Sequence, residues 1–103
     1  MNVLRTLFEL HLYLSGLPED TSIGFVPTMG ALHPGHKSLV CRSLKETNLC
    51  ICSIFVNPKQ FENEKDLQGY PNSISQDIIL LEECGCQVLF LPDINEIYPQ
   101  NFK

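Results

Sequence analysis

Positive charge is scarce in this chain. Seven lysines and arginines stand against twelve aspartates and glutamates, a formal charge of −5 over 103 residues. A nucleic-acid surface needs a basic patch that displaces counterions, so DNA and RNA are not expected partners. Any anionic ligand must be held by a local site, because the overall field opposes it. Long apolar runs are lacking as well. The N-terminal series Leu4, Leu7, Phe8, Leu10, Leu12 and Leu14 is interrupted by Glu9 and His11, and no small-residue cleavage site follows. It matches neither a secretory signal nor a membrane span, so no membrane partner is expected. Internal repeats and low-complexity segments are also missing. The five cysteines form an odd set, which points to a reducing, cytoplasmic setting. With 44% hydrophobic and 18% charged residues, what remains is one small globular domain.

Hydrophobic periodicity orders that domain. Residues 2–14 carry apolar positions at Val3, Leu4, Leu7, Phe8, His11 and Leu14, a helical spacing ended by Gly16 and Pro18. Ile23–Val26 is a short buried strand, and 27–35 a loop. A second helix is expected from about His36 to Thr47, with Leu39, Val40, Ser43 and Leu44 on one face. Leu49–Val56 is apolar almost throughout, the pattern of a parallel strand covered on both faces. A long polar segment over 57–72 is a candidate substrate loop. Asn72 or Ser73 can cap a third helix with Ile74, Ile78, Leu80 and Leu81 as its core stripe. Gly85 ends it, and Val88–Leu91 is the third strand. The order α-β-α-β-α-β implies right-handed crossovers and a doubly wound, Rossmann-like parallel α/β sheet of about three strands.

The chemistry concentrates in Pro27-Thr28-Met29-Gly30-Ala31-Leu32-His33-Pro34-Gly35-His36. A strand that turns through glycine into a helix N-terminus gathers backbone N–H groups at the positive end of the helix dipole. That is a place for phosphate. Imidazoles three residues apart can face one ligand together. Histidine donates a hydrogen bond in either charge state, so it can stabilise the charge that crowds an α-phosphate during nucleotidyl transfer. Gly30 permits the turn, and Gly35 lets phosphate approach the backbone. The plainer reading is a loop closed by a helix-capping histidine. The strand–turn–helix context favours handling of a nucleoside triphosphate through its phosphates.

The motifs as a set are more specific. Pro27-Thr28-Met29-Gly30-Ala31-Leu32-His33-x-Gly35-His36 is followed by Ser53-Ile54-Phe55-Val56-Asn57-Pro58-x-Gln60-Phe61. Then come Asp66-Leu67 with Tyr70-Pro71, and Ile97-Tyr98-Pro99. In this order and spacing they resemble the pantothenate synthetase family over nearly the whole chain. The His-x-Gly-His alone would fit any member of the nucleotidyltransferase superfamily. The resemblance implies an ATP-dependent ligation of pantoate to β-alanine through a pantoyl-adenylate, in the synthesis of pantothenate and coenzyme A. It implies an ATP site formed by Met29, Gly30, Ala31, Leu32, His33, Pro34, Gly35 and His36. His33 and His36 would contact phosphates, with His36 as proton donor. Gln60 would hold pantoate and β-alanine, since a carboxamide can accept from a hydroxyl and donate to a carboxylate. The main chain around Thr28 and Met29 would shape the pantoate pocket. ATP would arrive with Mg²⁺, and the assembly would be a homodimer.

Other residues carry no settled role. Glu62, Glu64, Asp66 and Asp77 could help position Mg²⁺, or could simply be solvated acids; no metal ligand is assigned. Asn72 stands where many relatives have arginine, and Lys59 is given no role. Cys50-x-Cys52 and Cys84-x-Cys86 raise the alternative of a thiolate zinc site. A Cys-x-Cys pair lacks the usual spacer, and free cysteine is commonly a small buried hydrophobe. Two further alternatives are a cytidylyl- or adenylyltransferase of the same superfamily, and an inactive nucleotide-binding or self-associating fragment. The resemblance places residues 1–103 in the N-terminal portion of the ATP- and pantoate-binding domain, with the second half and the C-terminal domain absent. The expectation is that such a chain alone is inactive. Its Ile23–Val26 strand, central in a doubly wound sheet, would be left as an apolar edge prone to self-association.

Overall fold

A computed structural model describes residues 1–55 and 74–92. Four parallel strands form one sheet in the order β1-β4-β3-β2, with β1 at Asn2–Leu4, β2 at Ile23–Thr28, β3 at Leu49–Ile54 and β4 at Val88–Phe90. Among the described residues three helices accompany them: α1 (Leu7–Ser15), α2 (Pro34–Glu46) and α3 (Ile74–Cys84). The doubly wound α/β class is as expected, but the strand count is four, not three.

The extra strand comes from the N-terminus. Residues 2–4 leave the expected helix and pair with Val88, Leu89 and Phe90. Thr6 decides the boundary. Its Oγ1 accepts from the Glu9 N–H at 3.0 Å, while Glu9 Oε1 accepts from the Thr6 N–H at 3.1 Å. This reciprocal capping box starts the helix at Leu7. The buried face also differs from expectation. Leu10, Tyr13, Leu14 and Leu17 pack against the sheet with Leu4, whereas Leu7, Phe8, His11 and Leu12 face outward.

β3 is the centre of the fold, buried along its whole length. Side chains alternate across a strand, so its two faces feed two cores. Cys50, Cys52 and Ile54 join Val26, Val40, Leu81, Cys86 and Leu89 under α2 and α3. Leu49 and Ile51 join Val88 and Phe90 under α1. The expected α3 stripe holds: Leu81 is buried, with Ile74, Ile78 and Leu80 half-buried beside it. Gly85 closes α3 at φ +89°. On α2, Val40 is buried but Leu39 faces solvent. β2 lies at one end of the sheet, with Ile23 and Phe25 exposed. Among the described residues no helix is long and apolar enough to cross a membrane.

Candidate active site

The site grows from the carboxyl end of β2, where open parallel sheets bind ligands. Thr28 ends the strand and pins the turn beyond it. Its hydroxyl donates to the Ser53 carbonyl at 2.9 Å and accepts from the Gly30 N–H at 3.1 Å, while its carbonyl accepts from the Phe55 N–H. The chain then turns through two left-handed residues, Gly30 at φ +86° and Ala31 at φ +53°. A Cβ on Gly30 would come within 3.2 Å of Ile54 Cγ2 and 3.3 Å of Asp77 Oδ2, so the turn needs glycine on both counts. Ala31 carries the strain of a left-handed L-residue, on the order of 1–2 kcal/mol.

Asp77 holds that strained turn in place. The residue is 3% exposed on α3. Oδ2 accepts from the Ala31 N–H at 3.0 Å, and Oδ1 from the Leu32 N–H at 2.9 Å. Both carboxylate oxygens are thus engaged by the loop backbone. This gives Asp77 a loop-anchoring role. The signal for that role was present: Asp77 falls on the same helical face as Ile74 and Leu81, where a carboxylate can persist only if its oxygens are satisfied.

The helix after this turn begins two residues earlier than expected, at Pro34, with His33 as its N-cap. His33 Nδ1 accepts from the Gly35 N–H at 3.0 Å. His36 Nδ1 accepts in turn from the His33 N–H at 3.2 Å. The two rings lie 4.1 Å apart between centroids, tilted by 44°. The plainer reading of the His-x-Gly-His holds in full, since both histidines cap the helix. An Nδ1 that accepts a hydrogen bond carries no proton, so the neutral ring holds its proton on Nε2. Each imidazole keeps one outer N–H donor beside the helix N-terminus. Gly35 proves to serve the cap: a Cβ there would stand 2.8 Å from His33 Cε1 and 3.0 Å from Nδ1. Burial, and then the charge of His33, hold the His36 pKa below the ordinary imidazole value, with Asp77 pulling the other way. His36 is thus neutral near pH 7 in the free protein.

Met29 is 43% exposed beside this turn, Ala31 and Pro34 are exposed, and Leu32 packs partly against the core. Thr28, Met29, Gly30, Ala31, Leu32, His33, Pro34, Gly35 and His36 thus run as one continuous segment from the end of β2 into α2. Gln60 and the 57–72 loop, with Lys59, Glu62, Glu64, Asp66 and Asn72, lie outside the described residues, as does Tyr98-Pro99. Among the described residues no group of three His, Cys, Asp or Glu side chains is placed to hold a metal ion. All five cysteines are free thiols. Burial first, then neighbouring thiols, pushes Cys52 up to about 12. Burial first, then Cys50, pushes Cys86 up to about 11. Such groups stay protonated and pack as small core hydrophobes.

The family profile described as pantoate-beta-alanine ligase matches residues 2–103. The chain belongs to the pantoate–β-alanine ligase family. It is 50% identical over 99 residues to a pantothenate synthetase of Helicobacter pylori, covering 96% of this chain and 35% of that protein. It is 46% identical over 101 residues to one from Bacteroides thetaiotaomicron, covering 97% of this chain and 36% of that protein. The chain thus spans about a third of the length of these relatives. A Francisella tularensis pantoate-beta-alanine ligase, solved in complex with beta-gamma ATP and beta-alanine, superposes with TM-score 0.89 at 45% identity. That match covers 97% of this chain and 38% of the other. The Thermus thermophilus pantothenate synthetase superposes at 0.85 and 42% identity, covering all of this chain and 36% of that one.

Proposed function

We propose that this chain supplies the N-terminal, phosphate-binding portion of a pantoate–β-alanine ligase. The observation that carries this reading is the α2 N-terminus, where the cap leaves one donor N–H on each of His33 and His36. In the reaction, a pantoate carboxylate oxygen attacks the α-phosphorus of ATP. The bond to the bridging oxygen breaks, and pyrophosphate leaves. The β-alanine amine then attacks the acyl carbon of pantoyl-adenylate, and AMP departs. His33 and His36 donate through Nε2 to the phosphate oxygens, where negative charge accumulates. The loop N–H groups and the α2 dipole add to that field. With both Nδ1 atoms already hydrogen-bonded, the rings need not reorient as the charge develops.

Mg²⁺ enters as part of the substrate, bound to the ATP phosphates. The backbone around Thr28 and Met29, together with Gln60, holds pantoate and β-alanine. The enzyme works in the cytoplasm as a homodimer. The test has two arms. MgATP binding by this chain is measured before and after His33→Ala and His36→Ala, and AMP release is measured in the protein at the length of its relatives. The reading expects weaker ATP binding in both variants, and AMP release that requires both pantoate and β-alanine. Unchanged ATP binding, or AMP release indifferent to pantoate, would overturn it.

A further inference from the structure

Two cysteines outside the site face each other across the α2–α3 contact. Cys41 lies on α2 and Cys84 on the last turn of α3. Both are half-buried, while Cys50 and Cys52 are buried on β3 and Cys86 is buried just before β4. The packing fixes their juxtaposition. Val40 and Leu81 share one core cluster, with Leu44 and Cys84 packed against it. Leu44 Cδ1 stands 3.8 Å from where a Gly85 Cβ would be. Cys41 sits one turn before Leu44 on the same side of α2, and Cys84 directly precedes Gly85. The Cys84 thiol accordingly lies within electrostatic reach of the Cys41 thiol, with Lys37 and Glu83 as the charged neighbours.

We propose that Cys41 and Cys84 form a dithiol site that closes to an interhelical disulfide when it meets a small-molecule disulfide oxidant of the glutathione type. One thiolate attacks a sulfur of the oxidant, whose S–S bond breaks and releases one reduced thiol. The second protein thiolate attacks the mixed disulfide at the protein sulfur and expels the other reduced thiol. The protein dithiol is oxidised by two electrons, and the oxidant becomes two thiols. Both protons pass to the released thiols. Burial, first, and Cys41, second, keep the Cys84 thiol protonated above its ordinary range, while Lys37 favours the thiolate. Closure should therefore quicken as pH rises. The crosslink would tie α2, which His33 caps, to α3, which carries the loop-anchoring Asp77.

The native chain is treated with oxidised glutathione, quenched with acid, and analysed by intact mass and by peptide mapping without reduction. The expected product has lost two hydrogens, carries no glutathione, and yields a Cys41–Cys84 crosslinked peptide. Thiols titratable in the native state should fall from two to none. Cys41→Ser and Cys84→Ser should each stop at one retained glutathione adduct. Stable adducts on both cysteines of the unsubstituted chain would overturn the proposal. So would a native-state crosslink involving Cys50, Cys52 or Cys86, or an unmodified chain whose thiols react normally once unfolded.

Discussion

Two helices of this small domain begin with the same reciprocal cap, made from different chemistry. At α1 a threonine and a glutamate exchange hydrogen bonds with each other's backbone N–H, leaving a carboxylate in the first turn. At α2 two histidines occupy the corresponding places, and the first turn holds no acid. Both devices satisfy N–H groups that would otherwise lack partners. They differ in what is left over. The α1 cap adds negative charge that complements the helix dipole and repels other anions. The α2 cap leaves the dipole uncompensated and adds two donors. A helix start becomes an anion site when its cap uses neutral bases in place of acids.

That contrast is broken most severely by exchanging the caps. His33→Thr with His36→Glu writes the α1 device into α2. Each lost donor removes a hydrogen bond to a charged group, worth about 1.5–3 kcal/mol, or roughly 10- to 100-fold in affinity. MgATP binding followed by calorimetry should therefore fall beyond detection, while the unfolding midpoint stays near its original value. Retained binding in this swap would end the account of the cap.

Next in size is the anchor. Asp77→Ala strips acceptors from the Ala31 and Leu32 N–H groups, at about 1–3 kcal/mol for each donor left buried and unpaired. Denaturant unfolding should show the loss, with faster amide exchange at Ala31 and Leu32. The milder Thr6→Ala removes an ordinary cap and should cost about 1 kcal/mol. Calorimetry should show no change in ATP affinity, which separates a structural cap from a ligand-binding one.

The smallest effect concerns acid. His36 has a folded pKa below its unfolded value, so the unfolded chain takes up this proton first. The stability contribution is complete above the ordinary histidine pKa. It declines as pH falls below about 6.5 and levels off once pH passes the lowered folded value. Protonation would also put a donor on Nδ1 opposite the His33 N–H. Chemical denaturation across this range should show a drop that His36→Ala removes.

The sequence was most legible where one physical cause acts alone. Continuous apolarity identified β3 as a strand buried on both faces, and Gly85 marked the end of α3. The N-terminus misled because its apolar spacing suits a helix equally well. The Thr6–Glu9 box and the pairing of Asn2–Leu4 with β4 override that pattern, and a strand partner 86 residues away leaves no local trace. In the site, the two histidines and glycines were evident, but not the close approach of Gly35 to the His33 ring. Asp77 was not legible as an anchor, since its hydrogen bonds span more than forty residues. The Cys41–Cys84 contact was hidden for the same reason: it depends on how two helices pack.

The central claim is that the α2 cap fixes both imidazoles with Nδ1 bare and the donor on Nε2. Nitrogen-15 NMR of the histidine side chains, recorded near pH 7 with and without MgATP, reads this directly. The account predicts that neutral His33 and His36 are Nε2–H tautomers before ATP is added, with the Nε2 signals of both shifting on binding. An Nδ1–H tautomer at either residue, or signals that ignore ATP at saturating concentration, would contradict it.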